Sequence, residues 1–190
     1  MTDRSPVAAV ILAGGLGRRF GGPKAEAVLD GETFLDRVAS TAAGVGLDPV
    51  VAVVPAGSRV PDEAVAVVNP DPQRGLSSSL RLGIAAVPVG HAALVLLVDQ
   101  PTMGSEVIEA VMARRGTRPL VAASADGRLA PPVLIEPDAF RHIAGLSGDI
   151  GLRDVFAAQP DLVEAVPVAG HAPDVDTPAD LARLEARLGS

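Results

Sequence analysis

Residues 7–24 read VAAVILAGGLGRRFGGPK: six apolar residues run straight into a stretch that carries five glycines, two arginines and a lysine. An unbroken apolar run of this length reads as a strand covered on both faces, as in a parallel sheet. In an open α/β sheet ligands bind beyond the carboxyl ends of the strands, so the residues after the run carry the functional information. Glycine tolerates unusual backbone angles and lets amide N–H groups come close to a phosphate, while Arg18, Arg19 and Lys24 supply positive charge. The loop is therefore expected to wrap a polyanion. A tight strand-to-helix turn with solvated basic residues would use the same residues without any ligand.

Further along the chain, short apolar runs alternate with helical stretches, the pattern of an α/β domain with a mostly parallel sheet and helices on both faces. VAAVIL, PVVAVV, AVAVV, ALVLLV, PLVAAS, PVLI and VEAVPV read as strands, most of them central. TFLDRVASTAAGVG, SSSLRLGIAAV, SEVIEAVMARR, DAFRHIAG, GLRDVFAAQ and TPADLARLEARL read as helices. Their expected N-caps include Thr33, Ser77, Ser105 and Thr177, the last followed by Pro178 at the first helical position. ASADGRLAPP (123–132) breaks the alternation and reads as a turn with an edge excursion near the ligand end of the sheet.

At 190 residues with 48% hydrophobic content, the chain 1–190 is expected to form one domain with a substantial core. It has no cysteine, which removes disulfides, thiolate nucleophiles and cysteine-rich zinc sites. The start MTDRSPVAAVIL does not resemble a signal peptide, and no apolar run approaches the roughly 20 residues needed to span a bilayer. A cytoplasmic protein without membrane contact is expected. The net charge of −7 and 2% aromatic content argue against a nucleic-acid partner.

Two familiar phosphate loops fail on particular residues. A P-loop needs Ser or Thr after its lysine, and Ala25 follows Lys24. A dinucleotide fingerprint needs its third glycine where Phe20 stands, and the second strand runs into Pro55, Ala56 and Gly57 with no acidic residue for a ribose. A nicotinamide-dependent reductase is thus a secondary reading.

Three more places carry polar residues after apolar runs. Asp99, in LLVDQP, stands at the tip of a buried strand, where a lone carboxylate is costly unless it meets a cation or donors. It could instead cap the turn made with Gln100 and Pro101. Asp174 and Asp176, in DVDTP, alternate along an extended segment and are expected on one side; Asp176 could alternatively cap the last helix. Arg74, Gly75 and Ser77 to Ser79 open a helix and offer N–H groups and hydroxyls to an anion or a base edge, though each serine could equally be an ordinary cap. His91, His142 and His171 have no metal-ligand spacing.

These segments together resemble the nucleotidyltransferases that attach CMP or GMP to molybdopterin. LAGGLGRRFGGPK is similar to their LAxGxxxRxGxxK, with Arg19 and Lys24 at the arginine and lysine positions. NPDPQRGLSSSLRLG is similar to the segment ending in GLSxSLRxG, LLVDQP to the strand-end DxP, PPVLI and SGDIGLRDVF to PVLF followed by GDxGxR, and DVDTPADL to DIDTPEDL. The matches follow in order along nearly the whole chain.

The resemblance implies a Rossmann-like nucleotidyltransferase fold and a Mg²⁺-dependent enzyme. By it, Arg19, Lys24 and Asp99 are catalytic, and Asp99 and Asp176 hold the metal, with Asp174 the less favoured ligand. Leu12, Ala13, Gly14, Gly15, Gly17, Arg18, Arg19, Lys24, Arg74, Ser77 and Ser78 would bind the nucleotide. Gly148, Asp149 and Arg153 would approach the pterin. Gln100 departs from the methionine usual in relatives. The implied partners are a nucleoside triphosphate, a molybdopterin-type substrate and a client molybdoenzyme or its chaperone. Gly15 resembles the guanylyl branch, whereas GLSSSLRLG and SGDIGLRDVF resemble the cytidylyl branch, so CMP transfer is favoured with GMP as the alternative. A nucleotide-binding accessory protein without turnover would keep the glycine loop but release no pyrophosphate.

Overall fold

The computed structural model describes residues 5–148, 150–169 and 172–189. VAAVIL forms β1 (Val7–Leu12), all six residues buried. After a two-stranded ladder of β2 (Val28–Leu29) and β3 (Glu32–Thr33) come β4 (Val50–Pro55), β5 (Ala64–Asn69), β6 (Ala92–Leu97), β7 (Leu120–Ala125), β8 (Arg128–Ile135) and β9 (Val163–Pro167). The helices are α1 (Phe34–Gly44), α2 (Leu76–Ala85), α3 (Ser105–Ala113), α4 (Phe140–Ala144), α5 (Leu152–Ala158) and α6 (Pro178–Leu188). Seven strands make one sheet in the order β5-β4-β1-β6-β8-β7-β9. β1 pairs in parallel with both β4 and β6, so the glycine loop leaves the sheet at its centre.

Alternation along β1 feeds two cores. Val7, Ala9 and Ile11 pack with Phe34 and Val38 of α1, Ile108 of α3 and Leu184 of α6. Ala8, Val10 and Leu12 pack on the opposite face with Leu80 and Ile84 of α2, Ile143 of α4 and Phe156 of α5. Helices therefore cover both faces, as the continuous apolar runs require. Gly83 sets how closely α2 approaches: a Cβ there would lie 2.4 Å from Val10 Cγ1 and 3.1 Å from Val53 Cγ2.

Several expectations are corrected. Most of the strands are central as expected, and AVAVV is one of the two edge strands, with Val65 59% and Val68 49% exposed. ASADGRLAPP is no edge excursion: it turns β7 into β8 as a hairpin, with Asp126 (φ 50°) and Gly127 (φ 73°) in the left-handed region. β8 inserts antiparallel between β6 and β7, while β9 is parallel to β7. The β7–β8 register jumps from Ala123↔Ala130 to Ala122↔Val133, so Pro131 and Pro132, which lack N–H donors, fall where the ladder is interrupted.

Thr33 and Thr177 cap α1 and α6 as expected, accepting from the amides of Asp36 and Asp180. Ser77 and Ser105 do not cap. α2 starts one residue earlier from Gly75 (φ 86°), a backbone conformation that favours glycine, and α3 starts from Gly104.

Candidate functional site

The glycine loop divides into two parts with different work. Gly17 (φ 57°) sits where a Cβ would be 1.7 Å from the Gly22 carbonyl oxygen, so only glycine permits the loop to curl back. The amides of Phe20, Gly21 and Gly22 all donate to the Gly17 carbonyl, and the Phe20 ring anchors the curl 6.2 Å from that of Phe34. These amides are consumed by the turn. Those of residues 14–19 make no hydrogen bond among the described residues. A run of main-chain donors free of protein partners beside cations is an arrangement that can receive an anion.

The loop walls a cleft of about 410 Å³ whose lining includes Gly14, Gly15, Arg18, Lys24, Asp99 and Asp176. Asp99 follows β6 as expected. Its carbonyl accepts from the Val175 amide at 2.8 Å, which pins the DVDTP segment beside it. Val175 is 1% exposed and buries the segment's apolar side chain. Thr177 and Asp180 form the reciprocal cap of α6, and the Asp180 carboxylate also accepts from the Asp176 amide. The Asp176 side chain is thereby left for other work, against the capping reading.

Lys24 Nζ bridges the two carboxylates, 3.0 Å from Asp99 Oδ2 and 2.5 Å from Asp176 Oδ1, and Arg19 lies 3.0 Å from Asp176 Oδ2. Burial raises the Asp99 pKa; the Lys24 charge opposes this only in part, and the neighbouring Asp174 and Asp176 add to the rise. The hydrogen bond from Lys24 holds Asp176 below the ordinary carboxylate range. Lys24 itself is pulled down by burial, but its bonds to Asp176 and Asp99 outweigh this and raise it. The second carboxylate oxygen of Asp99, Oδ1, is buried with no hydrogen-bond partner. A buried anionic oxygen without a donor is costly and fits a position made for a cation.

Asp174 does not share this cleft. Its Oδ1 accepts from Gln100 Nε2 at 2.8 Å, and it faces a second opening of about 1000 Å³ that is lined also by Asp126, Arg128, Leu129, Arg153 and Phe156. Arg128 and Arg153 make no ion pair among the described residues, although the chain carries a net charge of −7. The DVDTP segment thus separates two openings, with Asp176 on one side and Asp174 on the other.

The remaining expected residues are distributed unevenly. Leu12, Gly14, Gly15, Gly17, Arg18, Arg19 and Lys24 line the first cleft, but Ala13 is 1% exposed and its amide extends the sheet to the Val53 carbonyl. Arg74 and Ser78 lie in a separate depression with Asn69 and Asp71, outside the cleft. Ser77 is buried and donates to the Gly148 carbonyl at 2.6 Å, so both residues join α2 to the loop before α5 and line neither opening. Arg153 does face the second opening. Asp149 and His171 fall outside the described residues.

Within the expected run Ser77 to Ser79 the structure singles out one serine, and one residue was overlooked, Asn69. Ser79, not Ser77 or Ser78, faces the cleft, and a Cβ on Gly14 would meet its hydroxyl at 2.6 Å. It stands four residues before Gly83, hence on the same sheet-facing side of α2, which helical period alone could have indicated. Asn69, 2% exposed at the end of β5, donates to both Ser78 and Ser79 at 3.0 Å.

Known proteins are similar to this chain in sequence and fold. Residues 9–163 match the MobA-like NTP transferase domain. The chain is 35% identical over 179 residues to the molybdenum cofactor guanylyltransferase of Acidiphilium cryptum (strain JF-5), covering 83% of this chain and 87% of that protein. The crystal structure of Rv0371c from Mycobacterium tuberculosis H37Rv superposes with a TM-score of 0.84 at 22% identity, covering 96% of this chain and 99% of that one. A structure of the same protein in complex with manganese gives a TM-score of 0.79 with the same coverage. With the family matched over most of its length and a guanylyltransferase relative at this identity, the chain belongs to the MobA-like NTP transferase domain family.

Proposed function

We propose that this nucleotidyltransferase moves GMP from GTP to the terminal phosphate of molybdopterin and releases pyrophosphate. The observation that carries the reading is the loop 14–19, whose amides have no hydrogen-bond partner among the described residues, lining one cleft with Lys24, Asp99 and Asp176. That set suits a polyphosphate together with a divalent cation. GTP is preferred over the CTP favoured by the longer sequence segments because the relative at 35% identity is a guanylyltransferase.

Asp99 and Asp176 fit Mg²⁺. Asp99 Oδ1 is a buried oxygen without a donor, and the two carboxylates already converge on one positive charge, that of Lys24. No group of three or more His, Cys, Asp or Glu stands ready for a metal among the described residues. Two carboxylates suffice for Mg²⁺, which keeps waters and takes phosphate oxygens for the rest. Bound there, Mg²⁺ would neutralise and orient the triphosphate.

The protein's own groups then position the reactants. With the carboxylates engaged elsewhere, Lys24 and Arg19 are available to phosphate oxygens, and the amides of Gly14 to Arg18 receive the remaining charge. Arg153 and Arg128 hold the anionic acceptor in the second opening. An oxygen of the acceptor phosphate attacks the α-phosphorus, the bond to the β-phosphate oxygen breaks, and pyrophosphate leaves. Positioning and charge neutralisation dominate such transfers, and no general base is needed.

The test is pyrophosphate release by the purified protein with molybdopterin and GTP, CTP, ATP or UTP, each with and without Mg²⁺. Release with GTP alone, dependent on both molybdopterin and Mg²⁺, is expected. Preference for CTP would return the assignment to the cytidylyl branch, and nucleotide binding without release would favour an accessory role.

A further inference from the structure

We infer that Asn69 is a positioning residue that holds the Ser79 hydroxyl as a hydrogen-bond donor to the bound nucleotide; this rests on the nucleotidyltransferase reading. The orientation of the Asn69 amide follows from its neighbours. Its Oδ1 accepts at 3.0 Å from the Asp71 main-chain amide, which can only donate, so its Nδ2 must face the serines. Both protons of Nδ2 are then used, at 3.0 Å to Ser78 Oγ and 3.0 Å to Ser79 Oγ.

The two serines differ in what remains. Ser78 sends its own proton to the Gly75 carbonyl at 2.9 Å and is complete. Ser79 accepts from Asn69, lies 5% exposed on the cleft wall against Gly14, and has no acceptor for its proton among the described residues. Asn69 holds one of its two lone pairs, and its proton, which has no acceptor among the described residues, is left for the cleft. The proton is satisfied when the ligand atom it meets is an acceptor, such as a carbonyl oxygen, ring nitrogen or sugar oxygen. Asn69 touches no ligand and acts through Ser79.

Replacing Asn69 by Asp reverses the direction of the bond. Oδ1 still serves the Asp71 amide, but the other oxygen is an acceptor and draws the Ser79 proton away from the ligand. Asn69→Ala removes the support but leaves the proton free. The experiment measures the GTP dissociation constant by calorimetry, at fixed Mg²⁺, in the wild type, Asn69→Asp, Asn69→Ala, Ser79→Ala and the Asn69→Ala/Ser79→Ala double variant, with Tm recorded for each.

Asn69→Asp and Ser79→Ala should each weaken binding about tenfold, Asn69→Ala less, and the double variant no more than Ser79→Ala alone. An unchanged constant in Asn69→Asp, an order of losses that follows Tm, or losses that multiply in the double variant would overturn the inference. If Asn69→Asp does not fold, the alanine cycle decides by itself. A wild type that binds GTP but releases no pyrophosphate would sink the transfer reading and leave this inference standing.

Discussion

The two openings on either side of the DVDTP segment differ in how far their charges are paired. In the glycine cleft two of the three cations are taken: Lys24 bridges Asp99 and Asp176, and Arg19 pairs with Asp176, while Arg18 has no ion pair among the described residues. In the second opening Arg128 and Arg153 stand without a carboxylate partner among the described residues. A cleft of largely paired charges admits a polyanion best with a cation that takes over the carboxylates, whereas unpaired guanidiniums attract an anion directly. Metal and nucleotide should therefore bind the first cleft together, and the acceptor should need no metal to enter the second.

The sharpest way to break this contrast is at Lys24. Lys24→Ala leaves two adjacent carboxylates without their shared cation and removes a proposed phosphate contact, so kcat/KM for GTP should fall about 100- to 1000-fold. A loss below tenfold, measured by pyrophosphate release on a variant with native circular dichroism, would reduce Lys24 to a structural ion pair. Next in size are Arg153→Ala and Arg128→Ala. Each should raise KM for molybdopterin about tenfold through a lost charge-assisted hydrogen bond, with KM for GTP unchanged. Equal changes in both constants would merge the two openings into one functional unit.

Smaller effects separate neighbouring glycines. Gly14→Ala places a methyl group 2.6 Å from Ser79 Oγ and should weaken every nucleotide, whereas Gly15→Ala enters open space. The latter should only shift the GTP-to-CTP ratio of kcat/KM, by a factor of several at most, against the purine. Identical losses for the two variants would show that Gly15 serves loop geometry alone.

Much of this was legible in the sequence where one segment determines its own structure. The apolar runs of the sheet, the caps at Thr33 and Thr177, and the cluster of Lys24, Arg19, Asp99 and Asp176 all follow from local pattern or from motif resemblance. What escaped depends on neighbours far along the chain. An apolar run does not say which strand lies beside it, so the insertion of β8 between β6 and β7 could not be read from PVLI. The Asp-Gly pairs at 30–31 and 126–127 did carry a hairpin signal, with positive φ at both residues of each. The two prolines after the second pair argued against a strand and obscured it. Ser79 was named only within the run Ser77 to Ser79, although its spacing to Gly83 could have singled it out, and Asn69 was missed. Three consecutive serines look alike until the packing of Gly83 on Val10 fixes the rotation of α2, and Asn69 matters only through partners nine and ten residues away.

The central claim is that Asp99 and Asp176 exchange Lys24 for a divalent cation when the triphosphate binds. It is tested most directly by titrating Mn²⁺, with and without GTP, into the wild type, Asp99→Asn and Asp176→Asn, and measuring turnover at saturating Mg²⁺ on the same preparations. An amide cannot replace the charge a carboxylate supplies to a metal. The account predicts Mn²⁺ binding that is strengthened by GTP in the wild type, weakened by each substitution, and accompanied by a fall in turnover of about 100-fold in folded variants. Wild-type Mn²⁺ affinity and wild-type turnover in either variant would contradict it.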